Sequence, residues 1–222
     1  KTHASKMREA IDAVRMYRDA VGDEVDLCIE IHRRLSPAEA VVLARGIEEF
    51  HPLFYEDPIL PDNFDAMGLV ANGISIPIAT GERLHSIYEF QMLLSRGAVQ
   101  YIRPDVCLAG GITHTKKIAT LAEAHYVGVV PHNPLGPIST AACLQIAAAI
   151  PNFTIQEYPL GEHEPPKSEI VNKPLELIEG FLMIPEAPGI GIEITEDAAK
   201  RFPAVSRPVN TRLHVDGSVF DQ

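Results

Sequence analysis

The chain has 222 residues, 46% of them hydrophobic and 22% charged, with 19 basic against 30 acidic side chains and a net charge of −11. That is an ordinary globular composition, with enough apolar mass for a sizeable core and one main domain. It excludes a low-complexity chain, and without a long Lys/Arg cluster it argues against nucleic-acid or anionic-membrane binding.

Helix and strand signals alternate along the chain. It opens "KTHASKMREAIDAV", already in a helical pattern and without an initiating Met, so we expect a longer protein to precede it and leave a targeting segment open. The first helix spans Lys6–Val21, with Met7, Ile11, Val14 and Val21 on its apolar side and Gly22 as its stop. The strand "VDLCIEI" follows. Ser36, Pro37 and Glu39 then form a capping box with Pro at the first helical position, opening "AEAVVLARGIEEF". "PLFYE" is a strand, "DNFDAMGLVANG" a short helix and "SIPIATGE" the next strand. Ser86 and Glu89 cap "IYEFQMLLSR", which Gly97 ends.

"AVQYIRPD" is a strand, Gly110 and Gly111 read as a tight turn, and "THTKKIATLAEAHY" is a helix. The strand "VGVVPH", the helix "STAACLQIAAAI" and a last strand, "FTIQE", complete the series. "STAACLQIAAAI" is too short to span a bilayer. From Tyr158 onward the chain is rich in Pro and Gly, and "LELIEGFLMIPEAPGIGIEI" reads as short strands and turns. We therefore divide the chain at residue 158, with 159–222 as a tail packed outside the repeat. Cys28, Cys107 and Cys143 lie in apolar segments and read as buried thiols of a reducing, cytoplasmic compartment.

Repeated βα alternation with apolar strands implies a parallel sheet covered by helices. The strands end in Glu30, Glu56, Glu82, Asp105, His132 and Glu157, at intervals of 26, 26, 23, 27 and 25 residues. A doubly wound sheet would spread these groups along an edge at about 4.8 Å per strand. A β/α barrel gathers them at one mouth, where such folds keep their active sites. We therefore expect a β/α barrel with about two N-terminal units outside this chain, since a closed barrel has eight.

Singly, each acid reads as a solvated strand end or a helix-cap partner. Together, Glu30, Glu56 and Glu82 would repel one another in a dry mouth unless a cation compensated them, and hard oxygen ligands suit Mg²⁺. Strand alternation puts Glu30 and His32 on one face. Asp105 beside His132 would fix its tautomer and raise its basicity, as a general base requires. His51, His85, His114 and His125 read as surface or packing residues, and His163 and Glu164 as exposed. "GIGIE" lacks the context of a dinucleotide fingerprint, and no Gly-x-Ser-x-Gly elbow occurs.

"YEDP", "IPIATGERL", "RPDVCLAGGIT", "VVPHNPLGPIS" and "IQEYP" together resemble the barrel domain of the enolase superfamily, mandelate racemase subgroup, in its acid-sugar dehydratase branch. The resemblance covers about residues 25–158 and continues weakly through the tail. It implies a modified β/α barrel with an α+β capping domain, whose main part and first barrel strands lie outside this chain. It also implies a homo-oligomer, from dimer to octamer, acting on a small sugar acid. By resemblance, Glu30, Glu56 and Glu82 are Mg²⁺ ligands, and His132 with Asp105 is the base dyad. His32 is the acid for a departing hydroxyl, and Glu157 and Arg103 contact the substrate.

The relatives usually carry Asp where this chain has Glu30. "IHRRLSP" and "YIRP" lean toward mannonate dehydratases, and "PHNPLGP" toward galactonate and gluconate dehydratases. The expected reaction is Mg²⁺-dependent dehydration of an aldonate to a 2-keto-3-deoxy acid through an enediolate. Alternatives are mannonate as substrate, a carboxylate racemase or epimerase, and a sugar-acid-binding barrel that has lost its chemistry.

Overall fold

The computed structural model describes residues 1–206, 213 and 216–218. After helix α1 (His3–Val21), short strands and helices alternate. These are β1 (Cys28–Glu30), α2 (Pro37–Ile47), β2 (Phe54–Glu56), α3 (Phe64–Asn72), β3 (Ile78–Thr80), α4 (Ile87–Leu94), β4 (Tyr101–Ile102), α5 (Gly111–Ala124), β5 (Gly128–Val129) and α6 (Pro137–Ala147). The five strands form one parallel sheet in sequential order, β1-β2-β3-β4-β5. An order that never reverses is that of a barrel wall, not of an open sheet with a switch point.

"FTIQE" forms no strand. It contributes a single parallel bridge, between Val129 and Phe153, and Asp105 and His132 are joined by another. The ladder thins toward this side, where strands shorten from three residues to two.

Side chains alternate across the wall as a pleated strand requires. Tyr55, Ile78, Ile102 and Val129 point outward into the large core shared with the helices. Phe54, Ala79 and Val130 cluster separately with Tyr101. In the β1–β2 register Glu30 pairs with Glu56 and Cys28 with Phe54, so both glutamates continue the second, inward-facing row.

Local sequence explains the helices. Ser36 and Ser86 each close a complete capping box, with Glu39 and Glu89 reaching back. On α1, Met7 and Val14 are buried and Ile11 packs against the core, but Val21 is exposed. Gly46 on α2 lies so close to α1 that a β-carbon there would stand 2.4 Å from the Ile11 side chain. Gly110 and Gly111 form the turn before α5, both with positive φ.

Two of the three cysteines differ from expectation. Cys143 is buried, but Cys28 and Cys107 are exposed. Cys28 lies on the inward row of β1, an edge strand whose one ladder neighbour is β2. Cys107 lies in the turn after Asp105, outside any strand.

Beyond residue 158 the chain forms a hairpin, β6 (Leu177–Ile178) with β7 (Phe181–Leu182), and a final turn of helix, α7 (Ala198–Arg201). Glu179 and Gly180 make the hairpin turn with φ of 49° and 85°, the sign a two-residue hairpin favours. Val171, Leu175 and Ile192 pack on Ala141 and Leu144 of α6. No helix among the described residues is long and apolar enough to cross a membrane.

Ser36→Ala removes the α2 cap and should lower stability by about 1 kcal/mol. Phe90→Ala, at a fully buried ring, should cost about 3–5 kcal/mol. Urea unfolding followed by circular dichroism will measure both.

Candidate active site

Beyond the C-terminal ends of the strands the backbone leaves extended geometry. β1 stops at Glu30, and His32 and Arg33 both adopt left-handed conformations, with φ of 56° and 65°. The strand alternation expected for Glu30 and His32 therefore does not apply. Glu30 instead accepts a hydrogen bond from the His32 backbone N–H, and the turn carries the Arg33 side chain inward. Asp57, one residue beyond β2, also has positive φ, 40°.

Three groups of contacts result. In the first, Glu30, His32 and Glu82 offer ligand atoms within 4.8 Å of one another, a set able to hold a metal ion. Arg33 underlies it, with 1% of its side chain exposed. Its Nη1 donates to Asp57 Oδ2 at 3.0 Å and to Glu82, and its Nη2 donates to His32 Nε2 at 3.0 Å. Arg33 has only hydrogens to offer, so His32 Nε2 accepts and Nδ1 carries the ring hydrogen. Protonating His32 fully would require Arg33 to leave Nε2.

In the second group, His132 Nδ1 lies 2.9 Å from Asp105 Oδ2, and its Nε2 lies 3.2 Å from Glu82 Oε2. Asp105 Oδ1 accepts from the backbone N–H groups of Cys107 at 2.8 Å and Leu108 at 3.1 Å. Those bonds fix the carboxylate, which in turn orients the imidazole with Nε2 toward the mouth.

The third group centres on Arg103. Its Nε meets Glu56, and its Nη2 donates to Glu157 Oε2 at 2.5 Å. Glu56 is thus held by Arg103 and is not in the set formed by Glu30, His32 and Glu82, although its backbone pairs with Glu30.

The charges explain the titration. Six carboxylates (Glu30, Glu56, Asp57, Glu82, Asp105 and Glu157) face two buried guanidiniums, Arg33 and Arg103. Burial first, then the charges of Asp57 and Glu82, push Glu30 up to about 7. Burial pushes Glu56 up to about 9, with Arg103 opposing and Glu30 and Asp57 adding. Burial also raises Asp57. Asp105 goes the other way. Burial would raise it, but the His132 bond and the two backbone donors hold it below the usual carboxylate range. Burial would lower His132, but the Asp105 bond and the Glu82 and Glu157 charges raise it. His32 is lowered by burial and by Arg33.

An excess of negative oxygen donors, three of them pushed toward protonation, is a donor set that a hard divalent cation fits. The other histidines singled out in the sequence take no part in these three groups of contacts. His114 Nε2 accepts from Ile87 N–H at 3.2 Å and so caps α4, while His51, His85, His125 and His163 are exposed. Arg33, Asp57 and Asn133 are buried parts of the site that the strand pattern did not flag. A run of consecutive ionisable residues, "HRR" or "ED", was the one trace of Arg33 and Asp57 in the sequence.

The strand ends of this β/α barrel wall gather carboxylates around a His–Asp pair. The comparisons are more specific. Residues 1–198 match the enolase C-terminal domain-like family, and the chain belongs to that family.

The chain is 38% identical to the D-galactonate dehydratase of Xanthomonas oryzae over 221 residues, covering 96% of this chain and 57% of that relative's length. It also superposes on an enolase from Agrobacterium radiobacter with bound sodium and L-malate. That match has a TM-score of 0.91 and 33% identity, covering 99% of this chain and 59% of the other. A mandelate racemase/muconate lactonizing enzyme from Jannaschia sp. CCS1 gives a TM-score of 0.86 and 36% identity, covering 92% and 52%.

The raised acids set the pH response. An acid whose folded pKa lies above its unfolded value binds its proton more tightly when folded. Its contribution is therefore present at low pH and is lost as pH rises through the folded value. Cation-free protein should lose thermal stability between about pH 5 and pH 9 as Glu30 and Glu56 ionise. Added Mg²⁺ should flatten that decline. Melting temperatures across pH, with EDTA or with Mg²⁺, will measure it.

Proposed function

We propose that this barrel carries the acid–base machinery of a Mg²⁺-dependent dehydratase of sugar acids, acting on an aldonate such as galactonate or gluconate. The observation that carries the reading is the His132–Asp105 pair, 2.9 Å apart, set against Glu82 in a mouth with excess carboxylate. Likeness to a D-galactonate dehydratase at 38% identity supports the substrate class. Whole-protein activity remains part of the proposal, since the chain spans 57% of that relative.

In this reading Glu30, Glu56 and Glu82 hold the cation, which when bound supplies positive charge to the substrate carboxylate and so acidifies the C2 proton. Asp105 keeps the hydrogen of His132 on Nδ1, and once Glu82 turns from Nε2 to the cation the Nε2 lone pair can take the C2 proton. The charge left on the substrate spreads into its carboxylate. Arg103 and Glu157 orient that end of the molecule.

His32 stands on the other side of the acids, its Nδ1 3.9 Å from Glu30 Oε1. It gives a proton to the 3-hydroxyl, which departs as water. Arg33 has to leave Nε2 before the ring is fully charged, and the lowered pKa then makes that charged form a strong donor. The enol left behind tautomerises to the 2-keto-3-deoxy acid.

The test is a panel of acid sugars assayed for keto-acid formation. Turnover should appear with Mg²⁺, vanish with EDTA and return on Mg²⁺ addition, and turnover surviving complete metal removal rejects the mechanism. His132→Asn should lower kcat by about 10²–10⁴-fold while the melting temperature stays near wild type.

A further inference from the structure

A chain of buried hydrogen bonds leads from the tail to the mouth. Asn133 follows the base His132 and is fully buried. Its backbone N–H donates to Glu157 Oε2 at 2.8 Å. Its side-chain amide donates one hydrogen to the Glu157 carbonyl oxygen at 3.1 Å and the other to Thr140 Oγ1 at 2.7 Å. Thr140, fully buried on α6, has a single hydroxyl hydrogen. Glu162 Oε2 lies 2.7 Å from that hydroxyl and the Gly136 carbonyl oxygen 3.2 Å, so the hydrogen goes to Glu162.

Glu162 belongs to the tail and is 3% exposed. At the other end, Glu157 Oε2 also takes the Arg103 bond, and Arg103 meets Glu56. Among the described residues, Asn133 Oδ1 has no partner. The amide is therefore oriented by its two donated bonds alone.

We propose that Thr140 and Glu162 are positioning residues for Glu157, acting through Asn133, so that the tail takes part in setting the substrate-facing carboxylate. The inference rests on the reading above that Glu157 contacts substrate. Glu157 is one-third exposed at the mouth, and its side chain holds one geometry only while Asn133 and Arg103 both bind it. Loss of the Thr140 hydroxyl leaves an Asn133 hydrogen and a Glu162 oxygen buried without partners. The local structure relaxes by releasing Asn133, and Glu157 turns with it.

The test is a double-mutant cycle in the whole protein, read as kcat/KM. Thr140→Val should lose about tenfold, and Thr140→Ser, which keeps the hydroxyl, should stay within about twofold of wild type. Glu157→Gln combined with Thr140→Val should be no worse than Glu157→Gln alone, because both changes act on one group. Wild-type kcat/KM in Thr140→Val, or losses that multiply in the double variant, overturn the proposal. A merely structural role for Thr140 would lower the melting temperature and leave the cycle additive.

Wild-type protein inactive on every sugar acid rejects the dehydratase reading instead. The crystal structure of Thr140→Val still decides the relay in that case. A Glu157 carboxylate turned from Arg103 sustains the relay, and one left in place overturns it.

Discussion

Carboxylate crowding at the barrel mouth is the constraint on which the rest of the site depends. Two unit charges 4 Å apart interact by about 4 kcal/mol at an effective dielectric of about 20, and here six acids share one concave surface. Each neighbouring feature answers that repulsion. Arg33 bridges Asp57 and Glu82, Arg103 joins Glu56 to Glu157, and Asp105 is held by two backbone donors and by His132. Burial still raises Glu30 to about 7 and Glu56 to about 9, and it raises Asp57 as well. A bound cation would relieve this crowding, which ties the raised acids to the donor set proposed for Mg²⁺.

The same electrostatics account for the backbone. Left-handed residues other than glycine cost on the order of 1 kcal/mol or more each and persist where the surroundings over-determine them. His32, Arg33 and Asp57 are three such residues at two adjacent strand ends. The turn at 32–33 brings a guanidinium beneath the acids with almost none of its side chain exposed. Asp57 N–H donates to Ala79 O, and Arg33 N–H donates to Asp57 O, so the turned segments are also stitched to the sheet. Strain and charge compensation are two aspects of one arrangement.

Much of the barrel was legible because its signals are periodic. Apolar strands, capping boxes at Ser36 and Ser86, and strand-end acids at intervals of 23–27 residues are repeated statements of one unit. What stayed hidden depended on departures from periodicity. Asp57 follows Glu56, and strand alternation would send it to the opposite face, yet its positive φ returns it to the same cluster. Arg33 lies beyond β1, and its place beneath the acids depends on the turn at 32–33. The exposure of Cys28 and Cys107 depends on which strand is an edge and where a turn lies, which local apolarity does not encode. "FTIQE" has strand composition, but pairing is a property of neighbours and it retains one bridge.

The tail was visible as a change of texture, not as a participant in the site. Its apolar residues dock on α6 through Val171, Leu175 and Ile192, which fixes it to the helix that carries Thr140. Burial of Glu162 then follows from the same docking, and a buried carboxylate needs a donor. Thr140 is the donor within reach, and using it commits the Thr140 lone pair to Asn133. Apolar packing of the tail thus selects the orientation of a polar side chain next to the base. Glu162 does so through Thr140 and Asn133 and not by direct contact, so the site can be tuned from a residue that touches none of the reacting groups.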